Sequence, residues 1–349
     1  GFGRLAGALI GTALLLAWFA PLVPPALAPR GLLLRDSEAP ELYRLVREAL
    51  REARIGGPVM VELTADASLS LAPPRHLPHA LLGMPRQLSL GMALLDEVTA
   101  DELRSLVAAT AAQWGGGGYA AGGLIHRITL GLDGAGHAFG SGGCLQFINP
   151  LFWITAALAQ LLQDPRLVRH LAYQRPLFHD ALGVRAGGSM TYYAAQEKAA
   201  LNEAIWEATA YHVIFDLMEQ GKQLKNLFAY FAERKAEVEP VNISMLRDEV
   251  YSDTTGTVAG GGGRPEPVPG LQYPSLSQRL ARVMHLPYQE ERDKRRARAL
   301  LPNPAALEEA LTQKLTQSLD LALQTAKQEM WEDQQREIQL MKDEYEARR

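Results

Sequence analysis

The chain has 349 residues, with 35 Lys plus Arg against 39 Asp plus Glu and a formal net charge of -4. That balance excludes a strongly basic nucleic-acid binder, and no nucleic-acid partner is expected. Apolar residues make up 47% and charged residues 21%, which allows a sizeable core and excludes global disorder. The single cysteine, Cys144, rules out an intrachain disulfide and a thiolate zinc cage, so a metal would have to be held by His and carboxylates.

From Leu5 to Pro29 there is no charged residue, with Arg4 before and Arg30 after. As a helix this stretch is long enough to cross the ~30 Å bilayer core, so residues 1–30 are expected to be a transmembrane segment. The first residue is Gly rather than Met, which points to an N-terminus that is processed or continued upstream. A cleaved secretory signal is the competing reading, because Ala26-Leu27-Ala28 mimics a small-residue cleavage site, but Pro29 would sit unfavourably after the cut. Gly7 and Gly11 share a helix face that permits close contact, and Pro21, Pro24 and Pro25 should end the helix. Arg30, Arg35, Arg44, Arg47, Arg51 and Arg54 follow, so the positive-inside tendency places the body of the protein in the cytoplasm.

Ser37 to Arg54 has the period of an amphipathic helix, with Leu42, Leu45, Val46, Ala49 and Leu50 on one face, and Gly56-Gly57-Pro58 to stop it. Val59–Leu63, Ser68–Leu71 and Arg86–Leu90 read as strands of a small sheet. Thr99-Ala-Asp-Glu102 is a capping box, which predicts a helix from Ala100 with Leu103, Leu106, Val107, Thr110, Ala111 and Trp114 on its buried stripe. Gly115–Gly118 should end it, before a Gly-rich loop through Gly143.

Leu151–Leu162 is apolar but short, more consistent with a core or membrane-surface helix than with a second span; the preceding Cys144–Pro150 could lengthen it, which leaves open whether 144–162 enters the membrane. Residues 190–236 are mostly helical by period. Glu239 to Gly270, with Pro240, Pro265, Pro267, Pro269 and the Gly260–Gly263 run, reads as a flexible loop with little packing. The C-terminal stretch is a long helix that Asn303 can cap, with Leu307, Leu311, Leu315, Leu319, Ala322 and Ala326 as its apolar seam. Beyond Gln328 it is too charged to bury a full face and is expected to project. The fold class is α+β, mainly helical, divided into 1–30, a body over 31–300 with the loop at 239–270, and an extended helix over 301–349.

The order of these segments, with Leu88-Ser-Leu-Gly-Met-Ala-Leu-Leu95 and Asp101-Glu-Leu-Arg-Ser-Leu-Val-Ala108, resembles the HtpX-like membrane zinc metallopeptidases, relatives of the CAAX prenyl proteases. The resemblance implies a zincin-like fold. In that family the helix continues His-Glu-x-x-His, two metal ligands at i and i+4 and a general base. Here those positions read Ala109, Thr110, Ala111, Ala112, Gln113. The family's third ligand, a Glu in an Arg-Glu-x-x-Ala-Asp pattern, is matched by Tyr173 to Gly188, which keeps Arg175 and Asp180 but has Pro176 at the ligand position and His179 for the Ala. Tyr273-Pro-Ser-Leu-Ser-Gln-Arg-Leu280 resembles the family's His-Pro-x-x-x-x-Arg segment, with Tyr273 for His, and Leu301-Pro-Asn-Pro-Ala-Ala-Leu307 fits its C-terminal part.

A catalytic zinc needs about three protein ligands and an open position. Ala109 and Pro176 offer no donor atom, Gln113 is a poor zinc ligand, and Thr110 cannot replace a carboxylate base worth roughly 10²- to 10⁴-fold. The expectation is therefore a degenerate, catalytically inactive pseudopeptidase with no zinc or other cofactor, whose vestigial site is Ala109, Thr110, Gln113, Pro176 and Asp180. It would serve as a structural or regulatory subunit of a membrane protein complex. Other membrane-protein subunits are its expected partners, and a peptide added beside Val59–Leu63 in the emptied cleft is a further one.

The alternative is a membrane-bound zinc metalloendopeptidase with an unconventional site built partly from His170, His179 or Asp180; a weaker third is a periplasmic binding module. His179 and Asp180 are also placed to form a polar pair with Gln113. His76 and His79 form a His-x-x-His in a Pro-rich loop, and Cys144 has no recognisable base around it.

Overall fold

The computed structural model describes residues 31–72, 86–112, 165–219, 225–237, 240–253 and 274–318. The expected membrane segment, His76 and His79, Gln113, Trp114, Cys144, Leu151–Leu162 and the end of the C-terminal helix lie outside the described residues. Among the described residues no helix is long and apolar enough to cross a membrane.

The body is mainly helical around one small mixed sheet. Strands β1 (Leu32–Leu34), β2 (Val59–Thr64), β3 (Leu69–Ala72) and β4 (Arg86–Gly91) are ordered β1-β2-β4-β3, with β2 and β4 parallel and both edge strands antiparallel to their neighbours. The register builds two apolar rows across all four strands, Leu34–Val61–Leu88–Leu71 and Leu32–Leu63–Leu90–Leu69, on the core face. A row of opposite facing, Leu33–Glu62–Ser89–Ser70, lies between them. This is the two-residue alternation seen in the sequence. Each fully buried Leu or Val of the core rows contributes about 1.5–3 kcal/mol over exposure. Glu62 is nevertheless buried, and its carboxylate accepts from the Gly31 amide at 2.7 Å, the Ser89 hydroxyl at 3.3 Å and the Gln87 side chain.

Helix α1 (Pro40–Glu52) packs Leu42, Tyr43, Val46, Ala49 and Leu50 into the core. It starts three residues later than expected, at a proline whose missing amide costs nothing in a first turn. The Tyr43 hydroxyl donates to the Leu34 carbonyl at 2.8 Å and accepts from the Val61 amide at 3.1 Å, which stitches the helix to β1 and β2.

After the sheet come α2 (Met92–Glu97), α3 (Ala100–Ala112), α4 (Pro165–Gly187), α5 (Ser189–Glu219), α6 (Leu227–Glu237), α7 (Pro240–Ser252) and α8 (Leu276–Val283). A 3₁₀ turn (Ala297–Leu300) precedes a helix over 304–318, α9. Trp206 of α5 stacks on Phe228 and meets Phe231 edge-on, joining α6 to the core. Asn303 accepts from the Ala306 amide at 3.4 Å at the start of α9, and Leu311 is buried there with Leu307 and Leu315 packed alongside.

The expected loop over 239–270 is corrected by α7, which occupies its first part. Pro240 stands at the start of this helix rather than breaking it, and Val250 is buried against Ala200, Leu276 and Leu280.

Candidate functional site

The helix that would carry the zinc ligands in the resembled family is α3. Its capping box forms as read from the sequence: the Glu102 amide donates to the Thr99 hydroxyl at 3.2 Å, and the Thr99 amide donates to the Glu102 carboxylate at 2.8 Å. Glu102 also takes the Lys198 ammonium of α5 at 2.6 Å, and Asp101 accepts the amides of Arg292 and Asp293. These contacts fix the first turn of α3 from three directions.

The expected stripe proves too narrow. Every residue from Ala100 to Ala112 except Arg104 is buried, because α1, α4, α5 and β3 surround the helix. Alanine at 100, 108, 109, 111 and 112 is what lets four neighbours approach it.

The closest approach is to α4. A Cβ on Gly187 would stand 1.9 Å from the Ser105 hydroxyl, and one on Gly183 would stand 2.3 Å from the Tyr192 ring. Farther along, Ala109 shares an apolar cluster with Val184, Tyr192 and Val283. The first ligand position is thus enclosed by hydrocarbon and an aromatic ring. The adjacent Thr110 hydroxyl, at the base position, is buried and has no hydrogen-bond partner among the described residues. Pro176 lies within α4, half-buried, and its ring nitrogen can neither donate to the preceding turn nor bind a metal. These residues do not fit the zinc that the resemblance implies, since no donor able to bind one stands at Ala109 or Pro176.

Asp180 is occupied differently from the expectation that paired it with Gln113. Its Oδ1 accepts from Arg279 Nη2 and from the Tyr192 hydroxyl, each at 2.6 Å, and its Oδ2 accepts from Arg279 Nε at 3.0 Å. The Gln196 amide in turn donates to the Tyr192 oxygen at 2.9 Å. Burial works against the charge of Arg279, but the adjacent Asp180 carboxylate outweighs it and holds the guanidinium protonated. Tyr192 is pushed well above the ordinary phenol value, first by burial and then by Asp180, so it remains a hydrogen-bond donor.

Arg279 is aimed by a second capping box at the start of α8. The Ser275 hydroxyl accepts from the Gln278 amide at 3.2 Å, while the Gln278 side chain accepts from the Ser275 amide at 3.1 Å. The Ser-x-x-Gln spacing of Ser275 and Gln278 is the local sequence signal for this cap. Tyr192 and Gln196 carry no comparable signal, because a helical period does not name partners on another element.

Both oxygens of Asp180 accept hydrogen bonds from Arg279 or Tyr192, so a metal ion there would have to compete with a buried guanidinium. His179 is half-buried next to Phe178, whose ring it meets edge-on at 6.4 Å, and His170 lies in α4. Among the described residues no group of three or more His, Cys, Asp or Glu side chains is placed to hold a metal ion. The peptide expected beside Val59–Leu63 is also corrected. That strand is interior, hydrogen-bonded to β1 on one side and β4 on the other, so its backbone groups are already used.

No family model matches the chain, and no curated protein and no solved structure matches it.

Proposed function

We propose that this chain is a membrane-anchored, catalytically inactive relative of the HtpX-like metallopeptidases, acting as a structural or regulatory subunit of a membrane protein complex. The observation that carries the reading is the buried Asp180–Arg279 pair. Each residue belongs to a different fragment that resembled the family, 99 residues apart, and the two fragments meet through their two family-like charges. Convergence of the two fragments on one buried ion pair is what a common ancestral site would require. The hydrocarbon packing of Ala109 supports the inactive half of the proposal, because a ligand there would need room and donors that this cluster does not offer.

On this reading a partner would engage the uncharged sequence from Leu5 to Pro29, the charged sequence beyond Gln328 or the edge strands β1 and β3. A partner strand would add to β1 or β3, since β2 is enclosed. Purification of the full chain in mild detergent without chelator tests the proposal. The expected result is a membrane fraction carrying fixed-stoichiometry partners and no stoichiometric zinc. A clean monomer with one equivalent of zinc and peptide cleavage would overturn it in favour of the metalloendopeptidase.

A further inference from the structure

The arginines of α1 form a stripe that the proposed function leaves unused. Arg44, Arg47 and Arg51 recur at three- and four-residue spacing and, at 100° per residue, fall within about 60° of arc. The stripe turns away from the buried Leu42, Val46 and Ala49, and Glu41, Glu48 and Glu52 centre about 90° to one side. Arg54 continues the series beyond the helix end, and all four side chains are exposed. Arg47 pairs with Asp36 at 2.5 Å, whereas Arg51 and Arg54 make no ion pair among the described residues.

Arg54 is a second, independent observation. It closes α1 in the left-handed conformation, φ 56°, with the Ile55 amide on the Leu50 carbonyl at 2.8 Å and its own amide on the Arg51 carbonyl at 2.9 Å. Glycine is the relaxed choice at that closing position. An arginine there keeps a charge in the stripe at the expense of backbone comfort, the kind of local strain that accompanies function.

The stripe is also close to the uncharged segment. Pro29 ends that stretch, and Asp36, the partner of Arg47, is seven residues on, a span of at most about 24 Å when extended. A bilayer-inserted segment would hold α1 at the membrane surface at high effective concentration. Four exposed cations on one face attract the phosphate and carboxylate groups of anionic lipid headgroups.

We infer that the Arg44–Arg47–Arg51–Arg54 stripe rests on the headgroups of an anionic lipid surface; the inference deepens the membrane-anchored reading and rests on it. It fixes how the body sits on the bilayer, with the flank of Glu41, Glu48 and Glu52 at the side of the contact, within reach of the headgroup layer.

The test uses the full chain with Cys144→Ser and Glu48→Cys, an environment-sensitive fluorophore on the new thiol, and vesicles carrying a headgroup-attached quencher. The vesicles are phosphatidylcholine alone or with about one third phosphatidylserine. Quenching should be severalfold stronger with phosphatidylserine and fall away near 1 M salt, where the Debye length is about 3 Å. It should be lost when all four arginines become glutamine and retained when all four become lysine, which separates lost charge from lost folding. Equal quenching in both lipids, or no change in the glutamine variant, overturns the inference and leaves the anchor standing. Carbonate release combined with flotation on phosphatidylserine vesicles alone overturns the anchor and keeps the stripe; flotation with neither vesicle overturns both. Displacement by polyglutamate without a phosphatidylserine response overturns the lipid assignment in favour of an acidic protein partner.

Discussion

The Asp180 and Arg279 side chains are 3% and 7% exposed, so the pair is held almost wholly out of water. Breaking such a pair from one side leaves an uncompensated buried charge, which costs about 3–5 kcal/mol, whereas replacing both partners by well-packed apolar groups is often close to neutral. Asp180→Ala is therefore expected to lower unfolding free energy by that amount, and Asp180→Leu combined with Arg279→Met to recover most of it, measured by chemical denaturation of the detergent-solubilised chain. Equal losses in the single and double variants would mean that the surrounding packing, not the charge, matters.

Asp66 obeys a different rule. Burial raises its carboxyl above the ordinary aspartate value, against the opposing hydrogen bonds from Thr64 and Ser68. A raised folded-state value means that the folded protein binds the proton more tightly than the unfolded chain. The associated stabilisation is present below the unfolded value, about 3.9, and is lost as pH rises through the folded one. Asp66→Asn keeps the acceptor oxygen and removes the titration, so its denaturation midpoint should fall less than the parent's between pH 4 and pH 7. Parallel profiles would count against this.

Among the elements, α3, α4 and α5 are held at distances that side chains larger than those present would not permit. Gly183 faces the Tyr192 ring, and that ring is pinned at its far end by Asp180 and Gln196. Gly183→Ala cannot be relieved by swinging the tyrosine without releasing Asp180, and overpacking of this kind costs about 1–3 kcal/mol. The expected signature in the thermal melt is a lower midpoint whose drop is smaller in a Tyr192→Phe background, because the ring is then free of its anchor to Asp180 and can swing away. An equal drop in both backgrounds would place the strain in the ring volume and not in its anchor. The same close packing explains why Ala109 serves the fold well: a larger side chain there would enter the cluster of Val184, Tyr192 and Val283.

For the whole molecule, the sequence made legible what depends on local period and caps. The alternation of β2, β3 and β4, the amphipathic face of α1 and the Thr99–Glu102 box all follow from neighbouring residues, and the mixed sheet with surrounding helices agrees with an α+β class. β1 is hidden because three consecutive leucines show no alternation, and α7 because a proline that opens a helix, as Pro240 does, looks locally like the loop prolines of 265–269. At the candidate site the absence of donor atoms at Ala109 and Pro176 was readable, since residue identity alone decides it. The partnership of Asp180 with Arg279 and Tyr192 was not, because it depends on how α4, α5 and α8 converge.

The strand order has a consequence for biosynthesis. β2 and β3 leave the ribosome before β4, joined by residues 65–68, yet they do not touch in the finished sheet; β4 wedges between them. A nascent chain truncated before Arg86 thus exposes two unzipped strand margins with no native mate for the margins that β4 will later fill. Translation through Gly91 is the step that shields them, and stalling upstream of it should recruit a holdase.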